Sequence, residues 1–415
     1  MSNNLPETHK RLVTRWADDR QERLTTRLEE APFPDLKFGE IAVEMLYVPM
    51  HGSFWLSTHP DAIHPRSAEF MEGGHFVFGN GGVGRVIATQ EDPRLVKPGD
   101  YVCVFGHVPC NHYDCYACTV LHRYTECDYG ESGIIGHGKG APDGTYSNYA
   151  VLPKHSYNVC FRAEETPTEE DLMPFMFAFL VADVRNALTR HPDSLRQRRM
   201  MLVGAGFSGE IAAYIHNKSV PEAKCFAVDG SAKRLERIRA IDPESIRTYT
   251  LPPKVIAELN SGHRDPDFRH DLQETIDELA AERDAFLGEN RCNLLFDGSS
   301  GNSTPLWDNK RILNPTMHCI PFGFGSHYIL LSKEIVQMSG LNIIMSRGVG
   351  NIRNRQETIQ LIKAGASKFL YQNLISTSRR LNGMDEVAAF VKEQHEPPKA
   401  IHEIPHAYFC PNPHS

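Results

Sequence analysis

The first third of the chain alternates short apolar runs with glycine and proline, a pattern typical of β-strands separated by turns. Residues 40–49 are rich in Val, Ile, Leu and Tyr, and two further runs follow at residues 84–88 and 100–105. Turn-forming residues separate the three runs. The pattern therefore predicts a compact β-domain in this part of the chain.

From about Leu172 the pattern changes to apolar strands that alternate with longer helical segments. Residues 199–203 predict a buried strand, residues 209–217 a helix and residues 224–228 the next strand. This order is typical of βαβ units that build a parallel sheet. Later strands are predicted at residues 293–296, 318–321 and 341–345. The predicted fold class is therefore α/β, with a second domain that begins here.

A long amphipathic helix is predicted at residues 267–286. Phe268, Leu272, Ile276 and Leu279 recur there at intervals of three or four residues, which places them on one helical face. We expect this apolar stripe to face either the sheet of its own domain or a partner subunit.

The end of the chain predicts too little structure for a third domain. After Ser346 it shows a helical pattern at residues 355–364, a short strand, and a second helical pattern at residues 384–393. We expect this segment to return to the first domain. The predicted division is residues 1–170 for the first domain, 171–346 for the second and 347–415 for the return.

Length and composition agree with two globular domains. The chain has 415 residues, of which 41% are hydrophobic and 23% charged, close to the averages for globular proteins. Its formal net charge of −8 argues against a nucleic-acid partner, because gripping phosphates needs a concentrated basic face. Residues 1–30 lack the apolar core of a signal peptide, and no run approaches the roughly 18 apolar residues of a membrane span. We expect a cytoplasmic protein with no membrane partner.

Residues 204–209 read Gly-Ala-Gly-Phe-Ser-Gly, which matches the G-x-G-x-x-G pattern of dinucleotide-binding turns. The first glycine permits a tight turn, the second lets the backbone approach a pyrophosphate, and the third lets the helix pack on the strand. The match follows a predicted strand and opens a predicted helix, whose N-terminus offers unpaired N–H groups to phosphates. The alternative is a glycine turn that merely joins a strand to a helix.

Asp229 ends the next predicted strand, about 20 residues after the glycine motif. At this spacing in dinucleotide-binding domains, an acidic residue accepts hydrogen bonds from the ribose hydroxyls. Gly230 follows it and no arginine is adjacent, so a 2′-phosphate would meet a negative charge without a compensating cation. The predicted cofactor is therefore NAD and not NADP. The residues predicted to bind it are Gly204, Gly206, Phe207, Ser208, Gly209, Asp229 and Arg234.

Four of the ten cysteines lie close together: Cys110, Cys115, Cys118 and Cys127. Four thiolates can close a tetrahedral zinc site with no open position, as structural zinc sites do. His112 lies inside this loop and could replace one cysteine, since imidazole also binds zinc. Four unrelated thiols are the alternative, because the first spacing is irregular.

Two segments that flank the cysteines carry a family resemblance. Residues 97–102 read Lys-Pro-Gly-Asp-Tyr-Val, and residues 143–149 read Asp-Gly-Thr-Tyr-Ser-Asn-Tyr. With the cysteine loop between them, the chain resembles the medium-chain dehydrogenase/reductase family, which includes the zinc-containing alcohol dehydrogenases. The family loop is usually C-x2-C-x2-C-x7-C, whereas this loop is C-x4-C-x2-C-x8-C.

The resemblance implies a fold and an assembly for the whole chain. The family has a GroES-like β-domain and a Rossmann domain, which is a doubly wound parallel sheet, and its chain then returns to the first domain. It implies a structural zinc, an NAD cofactor and a small-molecule substrate. Its members are typically homodimers or homotetramers.

The resemblance also shows where a catalytic zinc would bind, and this sequence departs from the family there. Residues 49–54 resemble the segment with the first ligand, but His51 replaces its cysteine and Phe54 its aspartate. Residues 79–86 resemble the segment with the second ligand, but Asn80 replaces its histidine. The first segment therefore keeps one candidate ligand, His51, and the second keeps none.

The third ligand position falls near Phe179, with Asp183 four residues further on. One candidate ligand out of three does not make a catalytic site, because zinc needs three protein donors and an open position. We therefore predict no catalytic zinc. A rearranged site of His51, Asp183 and another histidine such as His75 is the alternative.

Without a catalytic metal, side chains must handle the hydroxyl proton and stabilise a developing oxyanion. His51 is the predicted acid or base, because the pKa of a histidine ordinarily lies near neutrality. The resemblance places Ser53 as a proton relay. Asn80 is predicted to donate a hydrogen bond to the substrate oxygen, and Asp183 to orient His51 or bind a polar substrate. The alternatives are a purely structural histidine, a turn amide and a helix-surface carboxylate.

The leading hypothesis is a metal-independent, NAD-dependent alcohol or polyol dehydrogenase, or the corresponding ketone reductase. A second hypothesis is an enoyl or quinone reductase, although such relatives generally prefer NADPH and lack the cysteine loop. A third is an enzyme that uses tightly bound NAD transiently for elimination or epimerisation, which retained NAD in purified protein would favour. The fourth is an inactive NAD-binding scaffold protein.

Overall fold

A computed structural model gives the fold of the chain. It describes residues 5–16, 24–50, 52–58, 75–110, 112–121, 127, 129, 133–136, 142–191, 193–261, 268–288, 292–299, 304–313, 317–322, 342–343, 350–396 and 404–413.

The strands, numbered along the chain, are β1 (Thr8–Trp16), β2 (Leu24–Pro32), β3 (Ile41–Met50), β4 (His75–Val77), β5 (Gly82–Thr89), β6 (Tyr101–Val104), β7 (His107–Val108), β8 (Gly133–Ile134), β9 (Tyr149–Leu152), β10 (Tyr157–Phe161), β11 (Arg199–Val203), β12 (Lys224–Asp229), β13 (Ile246–Thr250), β14 (Leu294–Asp297), β15 (His318–Pro321), β16 (Asn342–Ile343), β17 (Arg379–Asn382) and β18 (Ala407–Cys410). The α-helices are α1 (Gly52–Thr58), α2 (Glu169–Leu172), α3 (Ala178–Thr189), α4 (Phe207–Ser219), α5 (Ala232–Arg239), α6 (Pro253–Ser261), α7 (Phe268–Leu287), α8 (Thr304–Trp307), α9 (Ile352–Leu361), α10 (Ser367–Leu370) and α11 (Met384–His395). Short turns of other helical types lie at Tyr116–Val120, Met173–Phe177, Ser194–Arg196, Ile362–Ala366 and Tyr371–Ile375.

The chain forms two compact units. The first comprises Met1–Ala182 and Gly348–Ser415, and the second comprises Asp183–Arg347. The first boundary lies inside α3, later than the division after residue 170 that the sequence pattern suggests. These units describe compactness, so the predicted limits of the functional domains, 1–170, 171–346 and 347–415, stay predictions.

A mixed sheet in the order β10-β6-β5-β3-β18-β17 forms the core of the first unit, and β9 also pairs with β3. β3 is buried over nearly its whole length, because it pairs antiparallel with β5, β9 and β18. Since β17 and β18 come from the end of the chain, the last segment completes this sheet.

The first unit also contains an N-terminal hairpin that the sequence pattern does not predict. β1 pairs antiparallel with β2 along its full length and with β4 on its other side. Leu12 and Val13 are buried, whereas Lys10, Arg11 and Arg15 form ion pairs with acidic side chains. The cations interrupt the apolar pattern of β1, which explains why the strand is hard to recognise.

Six parallel strands in the order β13-β12-β11-β14-β15-β16 form the sheet of the second unit. The chain runs outward from β11 through β12 to β13, and then restarts on the other side of β11 with β14. The topological switch point therefore lies between β11 and β14. Ligands of such sheets bind there, outside the carboxyl ends of the strands. The predicted doubly wound α/β fold is confirmed.

The long helix α7 packs on the sheet of its own unit. Ile276, Leu279 and Ala280 are buried in one apolar cluster with Phe226 of β12 and Leu295 of β14. Of the two predicted positions for the apolar stripe, the structure shows the one against the sheet.

One stretch, Glu169–Thr189, is long and apolar enough to cross a membrane by length and composition. This differs from the expectation that no run approaches such a length. However, 83% of its most apolar window is buried inside the protein. Among the buried residues are Phe175, Met176 and Phe177, so the stretch packs as a core segment.

Candidate nucleotide site, cysteine cluster and reaction segments

The predicted glycine turn joins β11 to α4. Gly204 has a φ of +89°, which favours glycine, and a Cβ there would lie 2.7 Å from the backbone nitrogen of Ser299. A Cβ on Gly209 would lie 2.0 Å from the carbonyl oxygen of Gly204. A Cβ on Gly206, in contrast, would meet no atom of the described residues within 4 Å. The outer two glycines therefore serve close packing, and the middle one borders space that none of the described residues fills.

The N-terminus of α4 faces this open space. The helix begins at Phe207 with an extended Gly206 as its N-cap, and no described side chain caps it. Phe207 and Ser208 are half-buried. The first N–H groups of a helix have no acceptor within it, and its positive dipole end favours an anion. The uncapped terminus and the space at Gly206 together fit a dinucleotide diphosphate.

Asp229 lies beside the glycine turn at the end of β12. One carboxylate oxygen accepts the N–H of Ala205 at 2.7 Å, and the other accepts the N–H of Ser231 at 2.7 Å. Each oxygen keeps a second lone pair that can accept a ribose hydroxyl. Arg234 is half-buried in the first turn of α5, directly after this strand. The structure therefore brings Asp229 and Arg234 to the same edge of the sheet as the glycine turn.

A buried carboxyl near this turn is absent from the sequence-based predictions. Glu210 follows the third glycine and is fully buried. One of its oxygens accepts hydrogen bonds from Arg237 at 2.5 and 2.8 Å. Burial raises the pKa of Glu210 to about 7, and Arg237 opposes this shift. The sequence does hint at this buried carboxyl, because Glu210 stands at the start of the apolar run that follows the glycine turn.

The four predicted zinc ligands lie together in the first unit. The sulfur atoms of Cys110, Cys115, Cys118 and Cys127 all lie within 4.8 Å of one another. The distance between the sulfurs of Cys115 and Cys127 is 3.9 Å. Zinc–sulfur bonds of about 2.3 Å in a tetrahedron place neighbouring sulfurs about 3.8 Å apart. The cluster therefore fits a closed, four-sulfur zinc site.

His112 is not among the ligand atoms of this cluster. Its ring stacks on Tyr129 with the centroids 3.9 Å apart, and the Tyr129 hydroxyl donates a hydrogen bond to Asp114 at 2.6 Å. Burial raises the pKa of the Cys110 and Cys118 thiols. Holding both as thiolates thus requires a cation beside them.

Tyr146 holds the two segments of the first unit that the sequence links to the reaction. Its hydroxyl donates to the carbonyl of Pro49 at 3.0 Å, and its N–H donates to the carbonyl of Phe78 at 2.9 Å. The hydroxyl of neighbouring Thr145 donates to the carbonyl of Gly81 at 2.6 Å. Pro49, Phe78 and Gly81 are therefore fixed to one short stretch of backbone.

The first of these segments contains His51, which lies outside the described residues, and Ser53, which lies in α1. Phe54, in place of the family aspartate, is fully buried. Its ring centroid lies 4.8 Å from that of Trp55 and 4.9 Å from that of Tyr146. An aromatic core residue therefore occupies this position.

Asn80 lies in the second segment and is only 5% exposed. Its side-chain oxygen has no hydrogen-bond partner among the described residues. Gly106 packs against it so closely that a Cβ there would lie 2.6 Å from the Asn80 carbonyl oxygen. Buried polar atoms are normally paired with protein or water. An amide in this state fits the binding of a polar ligand.

Asp183 lies in α3, in the second unit, whereas Ser53 and Asn80 belong to the first. It is buried, so the alternative of a helix-surface carboxylate is wrong. One of its oxygens has no hydrogen-bond partner among the described residues. Burial raises the pKa of its carboxyl to about 7. Such a group can take up or release a proton near neutral pH.

His107 is a buried histidine that the sequence analysis does not single out. Its Nδ1 lies 3.1 Å from the carbonyl oxygen of Phe105. Its ring stacks on Phe179 with the centroids 6.2 Å apart, and the family resemblance places the third ligand position near Phe179. No sequence spacing connects residues 107 and 179, so only the fold reveals this contact.

Residues 39–162 match the alcohol dehydrogenase GroES-like domain. No curated protein sequence matches the chain.

Solved structures superpose on nearly the whole chain. An alcohol dehydrogenase from Thermotoga maritima is 18% identical with a TM-score of 0.70, covering 97% of this chain and 99% of that one. A short chain alcohol dehydrogenase from Escherichia coli, complexed with NADH, is 15% identical with a TM-score of 0.67, covering 98% and 100%. A crotonyl-CoA carboxylase/reductase in complex with NADP is 15% identical with a TM-score of 0.71, covering 98% and 96%. At such low identities, the TM-scores and coverages show a shared fold and no more.

Proposed function

We propose that the chain is an NAD(P)-dependent oxidoreductase of the medium-chain dehydrogenase/reductase family, because it combines an alcohol dehydrogenase GroES-like domain at residues 39–162 with the two-unit fold of these structures. The proposed reaction interconverts an alcohol or polyol and a ketone or aldehyde without a catalytic zinc. The observation that carries this proposal is the glycine turn, where open space at Gly206 adjoins an uncapped helix N-terminus and the Asp229 carboxylate.

NAD is the proposed nucleotide. Asp229 would place its negative charge close to a 2′-phosphate and repel it. Arg237 on the adjacent helix is already paired with Glu210, which leaves it poorly placed to compensate that phosphate. Arg234 remains as the proposed cation for the nucleotide.

The absence of a catalytic zinc is supported by Asn80 at the second ligand position, because a neutral amide is not among the usual zinc ligands. Phe54, in place of the aspartate of the first segment, has a hydrocarbon ring that offers no donor. We propose that zinc binds instead to the four cysteines, where it would stabilise the fold and keep no position open for a substrate.

Bound NAD supplies the acceptor for a hydride from the substrate, and NADH the donor in reverse. The side chains of the protein would then bind the substrate and handle its hydroxyl proton. We assign the proton transfer to His51 and Ser53, and hydrogen bonding of the substrate oxygen to the amide N–H of Asn80. Asp183, with a pKa near 7, would orient His51 or bind a polar substrate.

Nucleotide binding and metal content of the same preparation test this proposal. NADH should bind at least about tenfold more tightly than NADPH, as expected when an acidic residue meets a 2′-phosphate. Oxidation of alcohols or polyols with NAD should continue after mild chelation. A protein that binds neither nucleotide would overturn the proposal, and a preference for NADPH would overturn its choice of cofactor.

We also propose that the enzyme is a cytoplasmic homodimer or homotetramer that acts on a small molecule. The family resemblance supports the assembly, and the net charge of −8 supports a partner other than nucleic acid. Light scattering on the purified protein would measure the assembly, and a monomer mass would contradict it.

A further inference from the structure

Two loops meet backbone to backbone at the switch point of the second unit. One is the glycine turn after β11, and the other is Gly298–Ser299 after β14. The N–H of Gly298 donates to the carbonyl of Val203 at 2.7 Å. A Cβ on Gly204 would lie 2.8 Å from the carbonyl carbon of Gly298. Because the two backbones are in direct contact, the position of one loop constrains the position of the other.

Asp297, the last residue of β14, ties the second loop to the core. It is fully buried. One of its oxygens accepts the N–H of Ser299 at 2.9 Å and the Ser299 hydroxyl at 2.6 Å. The other accepts the indole N–H of Trp307 at 2.8 Å. Trp307 is 1% exposed and lies in the apolar cluster of this unit, so it provides a rigid anchor.

We propose that Asp297 is a positioning residue for the dinucleotide. Through Ser299 and Trp307 it holds the loop after β14 against Gly204, and so it sets the shape of the crevice in which nucleotides of such sheets bind. Hydrogen bonds to a carboxylate are stronger than those between neutral groups, and this carboxylate accepts the ones described from the Ser299 N–H, the Ser299 hydroxyl and the Trp307 indole N–H. The proposal rests on the proposed function, because it requires the nucleotide to bind at this turn.

Asp297→Asn is the first test, because the side chain keeps its shape. An amide that still accepts from Ser299 through its oxygen presents an NH2 group to the Trp307 N–H, and two donors cannot pair. We expect the dissociation constant for NADH to rise about tenfold, as for the loss of one hydrogen bond to a charged group. Titration of NADH against the purified protein measures it.

Ile312→Val is the matched control. Ile312 is buried in the same apolar cluster as Trp307, and this substitution removes a single methylene group without touching the carboxylate. It should lower Tm while leaving NADH affinity unchanged. If Asp297→Asn lowers Tm and binds NADH as tightly as the wild type, Asp297 is a purely structural residue and the proposal is overturned.

Ser299→Ala keeps the test open if Asp297→Asn fails to fold. Ser299 is half-buried, and the variant loses its hydroxyl while its N–H still donates to Asp297. We expect about threefold weaker NADH binding with an unchanged Tm, since one of several bonds to the carboxylate is lost. Wild-type affinity in this variant would contradict the proposal. Failure of the wild-type protein to bind NADH would instead refute the proposed function itself.

Discussion

The cysteine cluster and the segments at residues 49–54 and 79–86 belong to the same unit, yet they differ in the donors that they keep. The cluster brings four sulfurs within 4.8 Å of one another. The two segments carry Phe54 and Asn80 where the family resemblance places groups of a catalytic zinc site. The comparison teaches that the donors for a structural metal and those for a catalytic metal are separable: four sulfurs can close a zinc site in one region while Phe54 and Asn80 offer no usual zinc ligand in the other.

Cys115→Ser breaks the cluster and should have the largest effect. We expect the wild type to hold about one zinc per chain and the variant to lose it, because a structural zinc site needs four donors. Tm should fall by roughly 10 °C, which corresponds to a few kcal/mol for a unit of this size. Elemental analysis and thermal unfolding measure both effects.

Cys319→Ala is the control for this variant, because Cys319 is buried in the second unit and should keep the zinc in place. Two zinc ions per chain, with turnover lost on mild chelation, would show that a second zinc takes part in the reaction and would contradict the proposed difference between the two regions.

His51→Ala tests the reaction segments without touching the cluster. We expect turnover to fall by about 10²- to 10⁴-fold, the usual contribution of a general acid or base, while NADH affinity and zinc content stay unchanged. His75→Ala is the control, since His75 lies exposed in β4. If both variants lost activity together with a metal, a rearranged zinc site would replace the present account.

Asp183→Asn tests whether burial makes a charge on this carboxyl unfavourable. The pKa of Asp183 rises from 3.8 to about 7 on folding, so its stabilising contribution is complete below pH 4 and is lost as the pH rises through 7. The difference between these pKa values corresponds to about 4 kcal/mol.

Because the amide of the variant does not ionise, its free energy of unfolding should fall less than that of the wild type between pH 4 and pH 8. Denaturant unfolding at each pH measures this difference. Glu210 acts in the same direction and remains in both proteins, so the difference between the two curves isolates Asp183. Parallel curves would show that the Asp183 carboxyl titrates normally. We expect turnover to fall in the variant despite its higher stability at pH 8.

Asp229→Ser should have the smallest effect and should leave both regions of the first unit unchanged. Loss of the carboxylate removes the acceptor for the ribose hydroxyls and the repulsion of a 2′-phosphate. We expect NADH affinity to fall about tenfold and discrimination against NADPH to decrease, as for one hydrogen-bonded charged group. Unchanged NADH affinity would argue against the proposed ribose contact.

The features that sequence analysis predicts well are contiguous in the chain. The glycine turn occupies six consecutive positions between a strand and a helix, and its neighbours in sequence provide its structure. The four cysteines likewise fall within one loop. Spacing alone therefore suffices to predict the packing roles of Gly204 and Gly209 and the proximity of the four sulfurs.

The reaction segments depend on contacts between distant positions, which spacing does not reveal. Tyr146 connects Pro49 to Phe78 through its hydroxyl and its N–H, and His107 meets Phe179. Asp183 interrupts an apolar run in the sequence, and this pattern does not reveal whether its carboxyl is exposed or buried. A lone acid on a helix usually faces solvent, and only the packing of α3 shows that this one does not.

The N-terminal strand has a practical consequence for anyone who expresses this protein. Leu12 donates its N–H to the carbonyl of Tyr146 at 2.8 Å, and Arg11 pairs with Asp143 at 2.5 Å. β1 thus holds residues 143–146 in place through a hydrogen bond and an ion pair. A shortened clone that begins near residue 39, where the GroES-like match starts, would lack β1 and these contacts to residues 143–146. Activity measured on such a clone would therefore understate that of the full chain.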